Sequence, residues 1–155
     1  MRTVRNIRKE DLNSLKAVID SNKLFPSELL EDMTSDYFVN TQTTDIWLTT
    51  EEEGKVIAVA YCAPERMAEG TYNLYLIAIH KEFQGNGIGS ELMKHIEEYL
   101  LQGNNRILIV ETSGLPEFGL TRRFYEKLNY QQVGIIPEFY QRGEDKVIFW
   151  KNLNS

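Results

Sequence analysis

The chain has 155 residues, of which 42% are hydrophobic and 26% are charged, a balance that is typical of one soluble globular domain. Its formal net charge of −6 argues against a general nucleic-acid-binding protein, which usually has a basic surface. We therefore predict a single domain over residues 1–155 that has no nucleic-acid partner.

Cysteine content and hydropathy predict a cytoplasmic location. Cys62 is the one cysteine of the sequence, so an intrachain disulfide cannot form, which is consistent with a reducing compartment. No apolar stretch reaches the ~20 residues that span a bilayer. Residues 1–6 lack the apolar core of a signal peptide. We expect no membrane partner.

Hydrophobic periodicity predicts an alternation of strands and helices along the chain. Helical spacing of apolar residues recurs in four segments: 9–22, 26–38, 90–101 and 120–128. Strand patterns occur in seven segments: 3–8, 46–51, 55–63, 71–79, 107–110, 131–136 and 146–151. The last two strands are predicted to form a hairpin with a long loop at 137–145. Periodicity alone indicates one α/β domain.

A glycine-rich turn, Gln84-Gly85-Asn86-Gly87-Ile88-Gly89, separates the strand at 71–79 from the helix at 90–101. Glycine adopts positive φ angles and leaves backbone N–H groups accessible. The first turn of a helix has N–H groups without intrahelical acceptors, and the helix dipole favours a negative charge there. The segment therefore predicts a site for an anion such as the pyrophosphate of a cofactor.

The spacing of the glycines argues against two common nucleotide sites. A P-loop needs a lysine after its last glycine, whereas Ser90 and Glu91 follow Gly89. A Rossmann fingerprint needs Gly-x-Gly-x-x-Gly near the start of a βαβ unit, whereas this turn is Gly-x-Gly-x-Gly at mid-chain. On spacing alone, a plain turn without a ligand remains an alternative.

Two segments resemble signatures of the GNAT superfamily of N-acetyltransferases. The segment 77–89 resembles its acetyl-CoA signature, Arg/Gln-x-x-Gly-x-Gly/Ala, which Gln84, Gly87 and Gly89 match. The segment 124–130 resembles its Tyr-Glu-Lys-Leu-Gly-Phe element, with Asn and Tyr in place of the final Gly and Phe. The resemblance implies a single-domain acyl-CoA N-acyltransferase fold. This is an α/β fold with a mixed central sheet of about six to seven strands, helices on both faces and splayed strands at the cofactor site.

The resemblance also implies an acetyl-CoA-dependent N-acetyltransferase that transfers an acetyl group directly to a primary amine of a small molecule or peptide. A non-catalytic, regulatory acyl-CoA-binding module is the alternative. Backbone N–H groups of the turn would bind the CoA pyrophosphate, and the strand before it would bind the pantetheine arm through its exposed backbone edge. The cofactor-binding residues implied in this way are Ile77, Ala78, Ile79, Gln84, Gly85, Asn86, Gly87, Ile88, Gly89, Ser90, Thr121 and Phe124.

Two residues are implied to be catalytic. Family members commonly place a tyrosine at the position of Tyr125, near the CoA sulfur, where a phenol of pKa ~10 can protonate the leaving thiolate. Glu111 ends the strand that would flank the acetyl group and is the candidate general base. Many members carry an asparagine seven residues before the tyrosine, where this chain has Phe118. The hydroxyl group of Thr121 is the candidate substitute for that asparagine.

The acceptor site and the partners are less well defined by the sequence. The resemblance implies that the loops at 22–26 and 137–145 wall the acceptor site, which would take an amine-bearing small molecule or peptide. The oligomeric state is open, with a homodimer as one option. His80, His95 and Cys62 lie apart and without a nearby carboxylate cluster, so we predict no metal site.

Overall fold

The computed structural model describes residues 1–154 and confirms the predicted order of elements, β-α-α-β-β-β-α-β-α-β-β. The four α-helices in this range are α1 (Leu12–Asn22), α2 (Leu30–Val39), α3 (Ile88–Gln102) and α4 (Gly119–Lys127). The seven strands are β1 (Arg2–Asn6), β2 (Ile46–Glu52), β3 (Lys55–Pro64), β4 (Thr71–Ile79), β5 (Ile107–Ser113), β6 (Gln131–Gln141) and β7 (Glu144–Asn152).

The strands form one mixed sheet in the order β1-β2-β3-β4-β5-β7-β6, which confirms the predicted α/β class. β4 and β5 are parallel and pair from Thr71 opposite Ile107 to Leu74 opposite Val110. β5 also pairs with β7 in antiparallel orientation. A strand that is paired on both edges is central in its sheet, in agreement with the nearly continuous apolar sequence of β5. The predicted splay of β4 and β5 stays a prediction.

Residue contacts divide the chain into two compact units, of which the first comprises Met1–Ala63 and Leu76–Ile96. Its core is built on α1, where Leu15, Val18 and Ile19 recur with helical spacing and are 0% exposed. Burial of one such side chain contributes roughly 1.5–3 kcal/mol, so the apolar face rather than helix propensity stabilises α1. The other buried members of this core are Ile7, Leu30, Trp47, Val59 and Ala78.

The second unit comprises Pro64–Tyr75 and the chain from Glu97 onward. Its core contains Tyr125, Tyr130 and Phe149, none of which is more than 3% exposed. The ring centroid of Tyr125 lies 5.9 Å from each of the other two. Aromatic pairs at such separations contribute about 0.5–1.5 kcal/mol beyond the burial of their area. Tyr125 therefore anchors α4 to β7. The single domain over residues 1–155 stays a prediction.

The closing hairpin is longer than its sequence predicts. β6 continues to Gln141 and β7 begins at Glu144, so the predicted long loop at 137–145 is wrong and a tight turn replaces it. The strand continues through Pro137 because β6 is an edge strand, where the missing N–H need not face a neighbour. Gly143 in the turn has a φ of +83°, as short hairpin turns require.

Candidate active site

The glycine-rich turn leads directly into α3, which begins at Ile88 rather than at residue 90 as predicted. Gly85 and Gly87 have φ angles of +83° and +78°. A Cβ atom added at either position would meet no atom within 4 Å, so glycine is required by backbone conformation and not by crowding. The space beside both glycines is therefore open to a ligand.

The N-terminus of α3 presents N–H groups that lie outside the helical ladder. Glu91 N–H donates to the Gly87 oxygen at 3.1 Å, which is the first bond of a helix whose N-cap is Gly87. The N–H groups of Ile88, Gly89 and Ser90 precede this bond, so helix geometry gives them no intrahelical acceptor. Together with the helix dipole, these groups favour an anion.

Side chains hold two carbonyl groups of the turn and the carbonyl group just before it. Asn86 Nδ2 donates to the oxygen of Phe83 at 2.9 Å and to that of Gln84 at 3.3 Å. Arg2 Nη1 donates to the oxygen of Asn86 at 2.8 Å. In a trans peptide the C=O and the following N–H point in opposite directions. The N–H group of each following residue therefore points away from the donor side chain, as in the backbone nests that bind anions.

Gln84 connects this turn to the end of α1, a contact that the sequence did not indicate. Its Nε2 donates to Asn22 Oδ1 at 2.8 Å and to the Ile79 oxygen at 3.2 Å. Asn22 Nδ2 also donates to the Ile79 oxygen, at 2.8 Å. The Gln84 side chain thus positions the turn. Because these bonds use only the side chain, the backbone N–H of Gln84 is left for a ligand. Asn22 and Gln84 are 62 positions apart, so no local motif signals this contact.

The end of β4 carries the three residues that are predicted to line the pantetheine arm. Ala78 is 6% exposed and belongs to the core of the first unit. Ile77 and Ile79 are half-buried. Their side chains pack as apolar residues of a strand do, so a role in binding would fall to the backbone of β4.

Tyr125 lies on α4 and is 3% exposed. Its ring centroid is 5.2 Å from that of Phe124, in an edge-to-face arrangement. Thr121 precedes Tyr125 by four residues, so the two side chains lie on the same helix face. Thr121 and Phe124 are both half-buried. α4 thus carries three of the predicted site residues, and Tyr125 is in an aromatic and largely water-free environment.

Glu111 is a member of a half-buried ion pair. Lys146 Nζ lies 3.0 Å from Glu111 Oε1, and these two side chains are 10% and 27% exposed respectively. The same ammonium group lies 3.5 Å from the centroid of the Phe139 ring, a cation–π contact. Burial, followed by the charges of Glu111 and Glu144, raises the pKa of Tyr140. The ion pair with Lys146 thus fixes the position of the Glu111 carboxylate.

Arg122 joins α4 to the segment that follows β5. Its Nη1 donates to the oxygen of Ser113 at 2.7 Å and to that of Leu115 at 3.0 Å. Arg123, its neighbour in the sequence, is exposed. Arg122 therefore positions the helix that carries Tyr125, because its side chain binds two carbonyl oxygens of the segment before that helix.

Three further features concern metal binding, membrane crossing and the thiol group of Cys62. Within residues 1–154, no three His, Cys, Asp or Glu side chains are grouped as a metal ion would need. Across the same residues, no helix combines the length and apolar character required to cross a membrane. Cys62 is buried, which raises the pKa of its thiol to about 12 and makes it a poor nucleophile near neutral pH.

Known proteins provide an independent comparison. A profile of the Acetyltransferase (GNAT) family matches residues 6–130, which contain both the glycine-rich turn and α4. The chain belongs to this family. A relative named as an uncharacterized N-acetyltransferase of Methanocaldococcus jannaschii is 26% identical over 153 residues, covering 96% of this chain and 90% of the relative.

Solved GNAT structures share the fold. A crystal structure from Desulfovibrio desulfuricans, described as belonging to the GNAT family, has a TM-score of 0.92 at 24% identity and covers 99% of both chains. An aminoglycoside 6′-N-acetyltransferase complexed with coenzyme A has a TM-score of 0.77 at 14% identity and covers 97% of both chains. Membership of the GNAT family makes this chain an acetyltransferase enzyme, and the predicted acyltransferase fold is confirmed.

The range that the GNAT family profile matches contains the predicted catalytic residues but not the neighbours of Glu111 on the closing hairpin. Tyr125 and Glu111 lie inside the matched range, whereas Lys146 and Phe139 lie beyond its end at residue 130. Lys146 becomes recognisable only from the register of β7 on β5, which places Lys146 opposite Ser113, two residues from Glu111. The hairpin that carries Lys146 therefore lies outside the range that the family profile matches.

Proposed function

We propose that this GNAT enzyme uses acetyl-CoA as its acyl donor and transfers the acetyl group directly to a primary amine of a small molecule or peptide. The observation that carries the proposal is the turn before α3, where Asn86 and Arg2 hold carbonyl oxygens and direct the following N–H groups away from themselves. The pyrophosphate of CoA is an anion that fits such a nest at a helix N-terminus.

The donor would be held mainly by backbone groups. Hydrogen bonds to charged oxygens contribute about 1.5–3 kcal/mol each, more than bonds between neutral groups. The backbone of residues 77–79 would pair with the pantetheine arm as a strand pairs with a neighbour, and Thr121 and Phe124 would contact the donor from α4. The N–H groups proposed for the pyrophosphate are those of Gln84, Gly85, Asn86, Gly87, Ile88, Gly89 and Ser90.

The proposed chemistry needs a base and an acid. Glu111 accepts a proton from the ammonium form of the acceptor, and the neutral nitrogen then forms a C–N bond with the acetyl carbon while the C–S bond breaks. Tyr125 gives its phenol proton to the leaving sulfur, which suits a group of pKa ~10. The nitrogen loses its second proton to solvent as the amide forms, and solvent returns a proton to Tyr125 and removes the proton from Glu111. One proton is therefore released in each turnover. Lys146 holds the Glu111 carboxylate in place through their ion pair.

Two measurements test the proposal. Isothermal titration should detect binding of acetyl-CoA, and no binding at millimolar ligand would contradict it. A thiol-release screen with acetyl-CoA across polyamines, amino acids, aminoglycosides and peptide N-termini should then identify an accepted amine. If the protein binds acetyl-CoA and releases thiol with none of these classes, the proposed acceptor class is wrong.

A matched pair of glycine variants tests the turn itself. Gly54, between β2 and β3, has a φ of +77° and open space around it, as Gly87 has. Replacing either glycine with alanine should therefore reduce the free energy of unfolding by a similar amount, about 1–2 kcal/mol. Gly87→Ala should in addition weaken acetyl-CoA binding about tenfold or more, while Gly54→Ala leaves it unchanged. Equal donor affinity in the two variants would remove the turn from the site.

A further inference from the structure

We infer that Arg2 is a positioning residue for the acyl donor: it fixes the peptide between Asn86 and Gly87 so that the Gly87 N–H faces the pyrophosphate. This inference rests on the proposed function, because it assigns Arg2 to the donor site. Arg2 lies on β1 and is 84 positions from Asn86, outside every motif of the sequence.

The Arg2 guanidinium reaches three neighbours at once. Nη1 donates to the Asn86 oxygen at 2.8 Å, and Nη2 donates to Glu91 Oε1 at 2.6 Å. Nε lies 3.8 Å from Glu52 Oε1 on β2. The Arg2 side chain is 26% exposed. One planar group thus connects the glycine-rich turn to the first turn of α3, and the strand β1 holds that group in place.

The carboxylate neighbours indicate that Arg2 orients the turn rather than binding the donor directly. Glu91 and Glu52 balance the positive charge of Arg2 and would repel a phosphate that approached it. The bond to the Asn86 oxygen acts instead on the far side of the same peptide, where the Gly87 N–H points in the opposite direction. Arg2 therefore affects the anion site through the backbone.

Such an anchor is needed because glycine leaves this peptide free to rotate. The orientation of the peptide between Asn86 and Gly87 depends on the ψ angle of Asn86 and the φ angle of Gly87. Gly87 has a φ of +78°, but glycine occupies negative φ almost as readily. Without Arg2, the peptide could turn its carbonyl oxygen toward the anion, and the nest would then repel the donor.

Arginine is required by geometry and not only by charge. The carbonyl and the carboxylate are bound by two different nitrogens of the rigid guanidinium fork. A lysine ammonium is a single point charge on a flexible stem and does not reproduce this fork. Arg2→Lys should therefore recover only part of the function of Arg2.

The test is donor binding to the wild type, Arg2→Ala, Arg2→Lys and the charge-matched control Arg66→Ala, measured by isothermal titration. Arg66 is exposed in the segment between β3 and β4. Three ligands are used: CoA, dephospho-CoA and pantetheine. Dephospho-CoA retains the pyrophosphate, whereas pantetheine has no phosphate. Binding of pantetheine is measured by ligand-observed NMR. Thermal unfolding of the free proteins monitors the fold.

We expect Arg2→Ala to raise the Kd for CoA and for dephospho-CoA by about tenfold, the effect of one lost charge-assisted hydrogen bond at the site. Arg2→Lys should raise both by about threefold. The affinity for pantetheine should stay unchanged in every variant, and Arg66→Ala should match the wild type. If Arg2→Ala does not fold, the Kd values of Arg2→Lys and the wild type are compared instead.

Other results of the binding experiment would contradict the inference in distinguishable ways. Wild-type protein that binds no CoA overturns the proposed function and the inference together. Wild-type binding with equal CoA affinity in the Arg2 variants overturns the inference alone. An equal loss of pantetheine binding would make Arg2 a general structural residue. A loss for CoA but not for dephospho-CoA would place Arg2 on the 3′-phosphate, and a loss in Arg66→Ala would indicate long-range charge.

Discussion

Tyr125 combines a packing role with a proposed chemical one. Its ring contacts the aromatic rings of Phe124, Tyr130 and Phe149, and the residue is 3% exposed. A phenylalanine could reproduce the packing but not the transfer of a proton. The two roles can therefore be separated by removal of one oxygen atom.

Tyr125→Phe should lower kcat by about 10²–10⁴-fold, the usual contribution of a positioned general acid. The control is Tyr130→Phe, because Tyr130 is equally buried and its hydroxyl donates to Glu97 Oε2 at 2.6 Å. That variant should lose about 1.5–3 kcal/mol of unfolding free energy and keep its kcat. Steady-state rates and urea unfolding measure both effects. An unchanged kcat in Tyr125→Phe with an accepted amine would exclude Tyr125 as the acid.

At the scale of elements, α4 depends on a contact beyond its own helix. The helix is short, from Gly119 to Lys127, and a helix of this length is marginal in water without tertiary contacts. Arg122 supplies one such contact, since it donates to the oxygens of Ser113 and Leu115. The placement of Tyr125 therefore depends on a residue that does no chemistry.

Arg122→Ala should reduce the free energy of unfolding by about 1–3 kcal/mol, because it removes the Arg122 bonds to two partly buried carbonyl oxygens, of which that of Leu115 keeps only the Phe118 N–H. Arg123→Ala removes the same charge from an exposed neighbouring position and should change the stability by no more than about 0.5 kcal/mol. Urea titration of both variants compares them. Similar losses would mean that the charge of α4, and not the Arg122 contact, stabilises this region.

The elements also show what a sequence can and cannot predict. The glycine-rich turn was predictable because Gly85 and Gly87 directly encode positive φ angles, and α4 was predictable from the helical spacing of its apolar residues. The hairpin loop was mispredicted, since Pro137 and Gly143 indicate a break that an edge strand tolerates. The contacts Arg2–Asn86, Asn22–Gln84 and Glu111–Lys146 join distant positions, so they depend on the fold rather than on any local pattern.

At the scale of the whole molecule, the edge strand β6 combines an open strand edge with exposed apolar side chains. Val133, Ile135 and Ile136 are 55%, 51% and 41% exposed. An exposed apolar edge strand is a template for pairing with another strand. Residues 131–137 include no charged side chain, so pairing through this segment brings no like charges together in copies that each carry a net charge of −6.

We therefore expect a homodimer in which β6 pairs with β6 of the second copy. Analytical ultracentrifugation should show a dimer for the wild type and a monomer for the double variant Val133→Lys, Ile135→Lys, since like charges would face each other across the pair. Leu120→Lys is the control, because Leu120 is a 75% exposed apolar residue on α4. It should remain dimeric, and a monomeric wild type would refute the expectation.

Asn22 has a consequence for how the two substrates influence each other. It ends α1 and begins the segment 22–26 that is expected to wall the acceptor site, and its amide contacts both Ile79 and Gln84 beside the donor turn. Thermodynamic linkage requires that the factor by which an acceptor changes donor affinity equals the factor by which the donor changes acceptor affinity. We expect the Asn22 carboxamide to transmit such coupling, because it binds the glycine-rich turn from the segment that would wall the acceptor site.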